Sequence, residues 1–346
     1  MKLDKKNILI IGGTGSLGKV LARRILTNEL GKPKKIIIFS RDEEKQHEMR
    51  LAYKNRKIST DEIIYHNFEE LVEFRIGDIR DYHSIASAIK DADIVFNVAA
   101  LKQVPTCEYF PYEAAQTNII GPENIIRTIR ENKFPVEIVV GISTDKACKP
   151  VNVMGMTKAI QERVFITANL SCASTRFICV RYGNVLASRG SVIPLFHSQI
   201  RAGGPVTITT EKMTRFLISL DDAIDAIFVA MREANRGEIY IPRSPSAKIV
   251  DVARVLIGNR NIETKTIGIR PGEKVHEILI SDEESYRSAD RNKYYVVKPI
   301  IPELITDPDE KIAISKEYSS ADNIMSISDL KILLAKQKLL PLGRGQ

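Results

Sequence analysis

The residues best suited to proton chemistry in this chain are three consecutive polar side chains, Thr144, Asp145 and Lys146, which follow an apolar run. A carboxyl beside an amine can supply an acid and a base to one substrate. An acid that works near neutral pH needs a pKa above the ordinary aspartate value of about 3.9, and a basic lysine needs one below about 10.4. Burial moves both pKa values in these directions, whereas attraction between the charges opposes them. The alternative is a solvated helix cap.

A second pair of residues, Met154 and Lys158, is spaced so that a helix places both side chains on one face. A thioether does not titrate, so Met154 cannot exchange a proton. We interpret Met154 as a core side chain that also borders a substrate pocket. Proton chemistry on this face must therefore come from the neighbouring acid and amine.

A glycine-rich loop follows the first apolar run, Asn7–Ile11, and precedes a segment of helical periodicity, Gly18–Leu30. Glycines allow the backbone to approach a ligand closely, and a helix N-terminus offers free N–H groups and a positive dipole to a pyrophosphate. The sequence therefore predicts a dinucleotide site here. Its predicted contacts are Gly12, Thr14, Gly15, Ser16, Leu17 and Gly18.

The type of dinucleotide depends on the residues after the second predicted strand, Lys35–Phe39. An acidic residue at this position would favour NAD. The chain instead has Ser40 and Arg41, a donor and a cation suited to a 2′-phosphate. We predict NADP, with NAD as the alternative because Asp42 follows. Further cofactor contacts are predicted after later strands, at Asp78, Ile79, Ala99, Ala100 and Lys102. Asp78 suits the adenine edge, and an ordinary turn aspartate is the alternative.

The elements that must position these residues alternate between short apolar runs and helical patterns. Continuous apolar strands separated by helices indicate a parallel sheet that is covered on both faces. We predict an α/β, Rossmann-type, doubly wound parallel sheet with a smaller C-terminal substrate-binding lobe. The charged stretch 43–70 is predicted to be a helix plus an insertion. Further strands are predicted at Leu71–Ile76, Asp93–Val98 and Val136–Ile142.

Glycine and proline become frequent after Tyr182, as expected of a loop-rich lobe. We predict a cofactor-binding domain over residues 1–182, to which segments near 220–241 return. A substrate lobe is predicted over 183–300, and a C-terminal extension over 301–346.

The composition argues against several other functions. The net charge is +8, but basic and acidic residues are interspersed and tryptophan is absent, so we do not predict nucleic-acid binding. No apolar run approaches the ~20 residues of a membrane helix. The first residues lack a signal-peptide pattern, so we predict a cytoplasmic protein without membrane contact. The cysteines show no CxxC spacing, and we predict neither a disulfide framework nor a metal site.

A series of motifs spanning residues 12–277 closely resembles the UDP-N-acetylglucosamine 4,6-dehydratase family within the extended short-chain dehydrogenases. The motifs are GGTGSLG, SRDE, GDIRD, AALKQVPTCE, STDKA, NVMGMTK, RYGNVLASRGSVIPLF, MTRF and GIRPGEKVHE. The combination of ALKQVP, STDKA and RPGEK is specific. Some family members have an N-terminal membrane anchor, and this chain is similar to the shorter form without it.

The resemblance implies a lyase that recycles its nicotinamide cofactor. The sugar is oxidised at C4, loses the C5 proton and the C6 hydroxyl, and regains hydride at C6. By resemblance, Asp145 is the acid toward the C6 oxygen and Lys146 is the base at C5. Thr144 would bond the C4 oxygen and Lys158 the nicotinamide ribose. Many related enzymes have tyrosine where this chain has Met154, although some dehydratases of the family also have methionine.

The group that deprotonates the C4 hydroxyl is left open between Asp145 and a water relayed by Thr144. Lys102 is a candidate contact to the cofactor or the sugar, with a structural role as the alternative. Helix N-termini and arginines suit a UDP diphosphate, hydroxyls suit uracil, and a carboxylate suits ribose. The predicted UDP-N-acetylglucosamine contacts are therefore Lys102, Asn184, Ser191, Val192, Thr207, Thr209, Arg215, Arg270 and Glu273.

Several alternatives to a configuration-retaining dehydratase stay open. A lone base at C5 can return the proton to either face, so inversion at C5 or release of a 5,6-ene is the nearest alternative. A nucleotide-sugar 4-epimerase needs no base at C5, and a non-catalytic NADP-binding protein is suggested only by Met154. We also predict a homo-oligomer, because relatives commonly pair through the helices near 111–132 and 151–170.

Overall fold

The computed structural model describes residues 3–54, 62–186 and 191–340. The strands are β1 (Asn7–Ile11), β2 (Lys35–Ser40), β3 (Val72–Ile76), β4 (Ile94–Asn97), β5 (Ile138–Thr144), β6 (Arg176–Tyr182), β7 (Asn184–Val185), β8 (Val206–Ile208), β9 (Thr214–Ile218), β10 (Ile239–Pro242), β11 (Ser246–Lys248), β12 (Thr264–Thr266), β13 (Ile278–Ile280), β14 (Ser288–Arg291), β15 (Tyr294–Val297) and β16 (Tyr318–Ser319).

The helices surround the sheets, and three short turns of other helical types interrupt them. The α-helices are α1 (Ser16–Leu26), α2 (Glu43–Lys54), α3 (Glu62–Leu71), α4 (Tyr82–Ile89), α5 (Val104–Tyr109), α6 (Pro111–Ala115), α7 (Gly121–Asn132), α8 (Val153–Ser171), α9 (Val192–Arg201), α10 (Leu220–Glu233), α11 (Ile249–Ile257), α12 (Asp282–Ser285) and α13 (Ile327–Lys336). A π-helical turn is Gln116–Ile120, and 3₁₀ turns are Asp145–Ala147 and Pro302–Leu304.

The predicted Rossmann-type sheet is confirmed. Nine strands lie in the order β14-β15-β10-β6-β5-β4-β1-β2-β3, and the pairs from β10 to β3 are parallel. Most of these strands are continuously buried, which explains their apolar sequences. The chain reverses its direction of winding between β1 and β4. The carboxyl ends of the strands beside this point form the crevice where doubly wound sheets bind ligands.

Strand β1 has the predicted boundaries, whereas those of β2 to β5 differ from the predicted ones by one or two residues. One of these differences affects the site. Strand β5 continues to Thr144, so this residue ends a strand and Asp145 begins the 3₁₀ turn. The stretch 43–70 contains two helices, α2 and α3, and residues 55–61 lie outside the described residues. Helix α10 packs against β6, and β10 pairs with β6 in the large sheet.

A hairpin of β14 and β15 adds two antiparallel strands to the edge of the large sheet. It lies within the range 183–300 and was not anticipated. The remainder of the second lobe is built from small sheets, β11-β9-β7, β12-β8 and β13-β16. Its separate apolar core packs α9, α11 and α13 together. The lobe therefore stands at the carboxyl edge of the large sheet and closes the crevice.

The described ranges, 3–54, 62–186 and 191–340, contain neither a membrane-spanning helix nor a cluster of metal ligands. No helix in these ranges is both long enough and apolar enough to span a membrane. Within the same ranges, no three His, Cys, Asp or Glu side chains are grouped so that they could hold a metal ion.

Candidate active site

A cavity of about 1260 Å³ lies between the glycine loop, the carboxyl ends of the central strands and the second lobe. A pocket for one small molecule has a volume of about 300–1,000 Å³. The cavity therefore has room for two ligands side by side. All of the predicted site residues line it except Gly18 and Asp145.

The glycine loop has the shape required of a dinucleotide cradle. Gly12 has a φ of +82°, and a Cβ there would lie 2.7 Å from the Ala99 backbone nitrogen. At Gly18 a Cβ would lie 2.6 Å from the Gly13 Cα, which explains why Gly18 packs against the loop and does not line the cavity. Helix α1 has Gly15 as its N-cap and no side-chain cap, so its first N–H groups are available to a phosphate.

Basic side chains lie at the end of the cavity beyond β2. The buried Ser40 hydroxyl is 2.8 Å from the Thr14 hydroxyl, and Arg41 lies 3.7 Å from the Asp78 carboxylate. Asp78 also pairs with Arg80 and accepts hydrogen bonds from it. Burial would raise the pKa of Asp78, but the hydrogen bonds from Arg80 outweigh burial and lower that pKa. The side chain of Asp42 bonds Lys45, a lining residue that the sequence analysis missed.

The Thr-Asp-Lys turn holds the acid and the amine in direct contact. The Thr144 hydroxyl donates to Asp145 Oδ1 at 2.9 Å and accepts from the Lys146 backbone N–H at 3.4 Å. Lys146 Nζ donates to the same Oδ1 at 3.0 Å. The Asp145 side chain is fully buried and that of Lys146 is 21% exposed. Thr144 is thus a cap, as the alternative interpretation held, but the ion pair that it supports is not solvated.

A second carboxylate, Glu277, reaches the same lysine from the second lobe. Its Oε1 lies 3.4 Å from Lys146 Nζ, and its side chain is 3% exposed. Arg215 Nε lies 3.9 Å from Oε1, and Lys274 Nζ lies 3.8 Å from Oε2. The sequence analysis quoted this residue within GIRPGEKVHE but gave it no role.

The three groups titrate in different directions. Burial raises the pKa of Asp145, and the nearby Glu277 adds to this although Lys146 opposes it. Burial would lower the pKa of Lys146, but the two carboxylates outweigh it and raise that pKa. Burial would raise the pKa of Glu277, but Lys146, Arg215 and Lys274 lower it. The arrangement favours a protonated Asp145 beside an ionised Glu277.

Helix α8 places Met154 and Lys158 at the same wall, as their spacing predicted. Met154 is buried against Cys107 and Ala114 and also lines the cavity. Lys158 Nζ donates to the Ile142 carbonyl at 2.5 Å and to Gln161 Oε1 at 2.6 Å. Burial lowers the pKa of Lys158 to about 8. A cation or a neutral amine is therefore available here near neutral pH.

The second lobe contributes polar atoms that no protein group satisfies. Asn184 Oδ1 and Ser191 Oγ are buried and have no hydrogen-bond partner among the described residues, yet both residues line the cavity. Buried polar atoms normally find a partner, so these two are candidate ligand contacts. Ser191 is the N-cap of α9 and makes no side-chain cap bond, and Val192 begins this helix. Gly190, which directly precedes Ser191, lies outside the described residues.

The remaining predicted substrate residues differ in how free their side chains are. The Thr207 hydroxyl accepts from Gln199 at 2.7 Å, and the Thr209 hydroxyl donates to Glu273 at 3.4 Å. Arg215 donates to the carbonyls of Thr214, Lys274 and Val275, so it is anchored to the protein. By contrast, Arg270 lines the cavity, and its side chain makes no hydrogen bond or ion pair with another described residue.

Two further lining residues draw attention by their chemistry. Tyr182 ends β6 directly beside Thr144 in the strand register, and burial raises the pKa of its phenol well above the ordinary value. It was missed, although its place at the end of a predicted strand was a usable signal. Lys102 makes no hydrogen bond or ion pair with another described residue, and burial lowers the pKa of its ammonium.

Comparison with known proteins places this geometry in context. The sequence profile of the polysaccharide biosynthesis protein family matches residues 8–299. The chain is 43% identical over 340 residues to UDP-glucose 4-epimerase of Rickettsia bellii, and the match covers 95% of each chain.

Solved structures of other proteins have a similar fold. Pen from Bacillus thuringiensis superimposes with a TM-score of 0.87 at 36% identity, covering 98% of this chain and 100% of that one. DesIV, a dTDP-glucose 4,6-dehydratase from Streptomyces venezuelae crystallised with NAD and TYD, superimposes with a TM-score of 0.65 at 17% identity. That match covers 78% of this chain and 86% of DesIV, and it shows a shared fold alone.

Proposed function

The chain belongs to the polysaccharide biosynthesis protein family, and from this premise we propose that it is a UDP-N-acetylglucosamine 4,6-dehydratase. The observation that carries the proposal is the 3.0 Å contact between Lys146 and the buried Asp145, at the wall of a cavity shared with the glycine loop. An acid and a base held together suit the removal of water across two neighbouring carbons. The product is a 4-keto-6-deoxy sugar that serves glycan, capsule or nonulosonic acid synthesis.

The protein's own residues perform the proton steps. Lys146 takes the C5 proton. Asp145 lies directly behind the cavity wall, so it gives its proton to the leaving C6 hydroxyl through the Thr144 hydroxyl, which contacts Asp145 Oδ1 at 2.9 Å and lines the cavity. The raised pKa of Asp145 fits the acid, because the group keeps its proton nearer neutral pH. Lys146 must act as the amine, which is its minor form because its pKa is raised. Because Asp145 must be protonated while Lys146 is neutral, we expect a bell-shaped dependence of kcat/KM on pH, with one limb set by the lower and the other by the higher of the two pKa values.

A nicotinamide cofactor held in this cavity would supply the hydride chemistry, which is oxidation at C4 and reduction at C6. The cradle at Gly12 and Gly15, the free N-terminus of α1 and the cationic end of the cavity fit a dinucleotide. Lys158 would orient the nicotinamide ribose through its ammonium. Arg41 and Lys45 support NADP, and NAD is the alternative since Asp42 lies between them.

The choice of cofactor can be tested by binding. We expect the wild-type chain to bind NADP more tightly than NAD, and Arg41→Ala to weaken NADP binding while leaving NAD binding nearly unchanged. Isothermal titration of both cofactors measures this. Equal losses for NADP and NAD in the variant would contradict a 2′-phosphate role for Arg41.

The reaction itself is tested by proton NMR in deuterium oxide with UDP-N-acetylglucosamine. We expect a C6 methyl group, a keto or hydrated C4, and deuterium at C5. The same spectra report whether the configuration at C5 is retained, as we propose, or inverted, or whether a 5,6-ene is released. A product that keeps its C6 hydroxyl and its C5 proton would contradict dehydration.

A second candidate function is a nucleotide-sugar 4-epimerase. It is favoured by the 43% identity to the Rickettsia bellii protein named UDP-glucose 4-epimerase. Epimerisation changes only C4 and needs no base at C5, so it leaves the Lys146–Asp145 contact unexplained. Incubation with UDP-glucose distinguishes the two, because an epimerase would form UDP-galactose and leave C5 unlabelled in deuterium oxide.

Self-association through the helices near 111–132 and 151–170 is part of the proposal. Large apolar side chains are exposed on and beside these helices: Tyr109, Phe110, Tyr112, Ile120, Met156 and Ile160. Met156 and Ile160 lie one helical turn apart on α8. Light scattering of the purified chain should give a multimer, and Ile160→Glu should reduce its mass toward the monomer.

A further inference from the structure

Glu277 is a carboxylate of the cavity wall that the proposed reaction does not yet use. It is contributed by the second lobe, lines the cavity and is almost fully buried. Its Oε1 lies 3.4 Å from Lys146 Nζ, while its Oε2 is buried without a hydrogen-bond partner among the described residues. Asp145 Oδ2 is likewise buried and has no hydrogen-bond partner among the described residues.

The two carboxyl groups share one lysine but have different surroundings. Two like charges in such a site cannot both be fully ionised, and the group with more cations nearby keeps the negative charge. Glu277 has Arg215 and Lys274 within 4 Å in addition to Lys146, whereas Asp145 has only Lys146 among the described residues. The charge therefore belongs on Glu277 and the proton on Asp145.

We propose that Glu277 is a positioning residue for the elimination: it fixes Lys146 between two carboxyl groups, and its negative charge keeps Asp145 protonated. This inference rests on the proposed dehydratase function, because only loss of the C6 hydroxyl requires a carboxylic acid at this place. Asp145 releases its proton to the departing hydroxyl through the Thr144 hydroxyl, and the amine of Lys146 gains the proton from C5. Glu277 gains and loses nothing in the step.

The C-terminal extension holds Glu277 in place. Ser320 Oγ accepts from the Glu277 backbone N–H at 2.9 Å, and the Ser320 N–H donates to the Glu277 carbonyl at 2.8 Å. Ser320 Oγ is also 2.7 Å from the Thr214 hydroxyl, which in turn contacts His276 Nδ1 at 2.8 Å. The segment after residue 301 thus aligns one wall of the active site.

The groups that face Glu277 come from each element packed around it. Lys146 and Asp145 approach Glu277 from the turn after β5, and Arg215 approaches it from β9. Lys274 comes from the same loop as Glu277, and His276 directly precedes Glu277 in sequence. Removal of the Glu277 charge lowers the pKa values of both Asp145 and Lys146, because a negative neighbour favours the protonated form of each. Both limbs of a bell-shaped pH profile then move to lower pH, whichever residue is responsible for which limb.

The test compares the holoenzyme with Glu277→Gln, Glu277→Asp and the control Glu238→Gln. Glu238 is also buried, but it bonds Asn235 in a turn far from the cavity wall. We expect the kcat/KM profile for dehydration to move to lower pH by about one pH unit in Glu277→Gln. Glu277→Asp keeps the charge and should keep the profile position, and Glu238→Gln should match wild type.

A second measurement does not depend on activity. The infrared band of a protonated carboxyl should be present in wild type, absent in Asp145→Asn and weakened in Glu277→Gln at the same pH. A Glu277→Gln profile that is lower but not displaced, or an unchanged carboxyl band, would overturn the inference. If wild type forms no 4-keto product while the band still depends on Glu277, the proposed function fails and the charge arrangement stands.

Discussion

Two buried clusters in this protein each place one cation between two carboxylates, and both connect the large sheet to the segment 277–284. The Lys146 cluster consists of Lys146, Asp145 and Glu277, and the Arg181 cluster consists of Arg181, Glu162 and Glu284. In the Arg181 cluster all four carboxylate oxygens accept a guanidinium N–H at 2.6–2.9 Å. In the Lys146 cluster one oxygen of each carboxyl group has no hydrogen-bond partner among the described residues.

The difference follows from the two cations. A guanidinium presents five N–H donors in a planar fork and satisfies two carboxylates at once, whereas an ammonium is a compact charge with three donors. In the Arg181 cluster every carboxylate oxygen is already hydrogen-bonded within the cluster, and no member of the cluster lines the cavity. Lys146 and Glu277 both line the cavity. The same combination of charges thus stabilises the fold in the Arg181 cluster, whereas in the Lys146 cluster it leaves groups free for proton transfer.

The largest effect on activity is expected from Lys146→Ala. We expect dehydration to fall about a thousandfold, because the base is lost, while circular dichroism stays close to wild type. The loss of stability should be smaller than in Arg181→Met, because Asp145 is protonated and Glu277 keeps Arg215 and Lys274 nearby. The matched control is Lys149→Ala, which removes an ammonium that bonds Asp282 and Glu317 outside the cavity. Near-normal turnover in Lys146→Ala would refute the assigned base, and an equal loss in Lys149→Ala would point to a general effect of charge.

The acid is tested by Asp145→Asn, which keeps the size of the side chain but removes its acidic proton. We expect a loss of turnover of about a hundredfold or more, with NADP binding retained. Deuterium at C5 of the substrate should still be detectable after long incubation, since Lys146 remains. If this variant dehydrated at the wild-type rate, Asp145 would be reduced to a structural partner of the lysine.

In the Arg181 cluster the expected loss is in stability. Arg181→Met leaves Glu162 and Glu284 buried without a counter-charge, and breaking such a buried pair costs about 3–5 kcal/mol. Urea unfolding measures this cost. The activity of the folded fraction should fall much less than in Lys146→Ala. A variant that is stable but inactive would show that the two clusters are not separated as we describe.

The same cluster predicts an acid dependence of stability. Burial opposes ionisation, but Arg181 lowers the pKa of Glu284 from 4.5 to about 2. Because the pKa of the folded state lies below that of the unfolded state, the stabilisation is complete above pH 4.5 and is lost as the pH falls toward 2. The shift corresponds to about 3 kcal/mol. Urea midpoints for wild type should decline over this range, and those of Glu284→Gln should decline less.

The sequence predicted the parts of this comparison that are local. Apolar runs located the central strands, and Thr144 to Lys146 were recognised because they follow one of these strands directly. Glu277 was not recognised, since its approach to Lys146 depends on how β13 and β16 pack the second lobe against the turn after β5. The partners of Arg181 were missed for the same reason. The hairpin of β14 and β15 was also missed, because strands this short carry little periodicity.

The smallest effect is expected at Met154, the residue at the place where many related enzymes have tyrosine. If protons move only through the Lys146 cluster, the thioether serves as packing, and Met154→Leu should change stability by less than about 1.5 kcal/mol. Turnover should stay within about tenfold of wild type, which corresponds to 1.4 kcal/mol in the activation barrier. Met231→Leu, in the core away from the cavity, is the matched control for stability. A hundredfold loss confined to Met154→Leu would mean that the shape of this wall, in addition to its charges, controls the reaction.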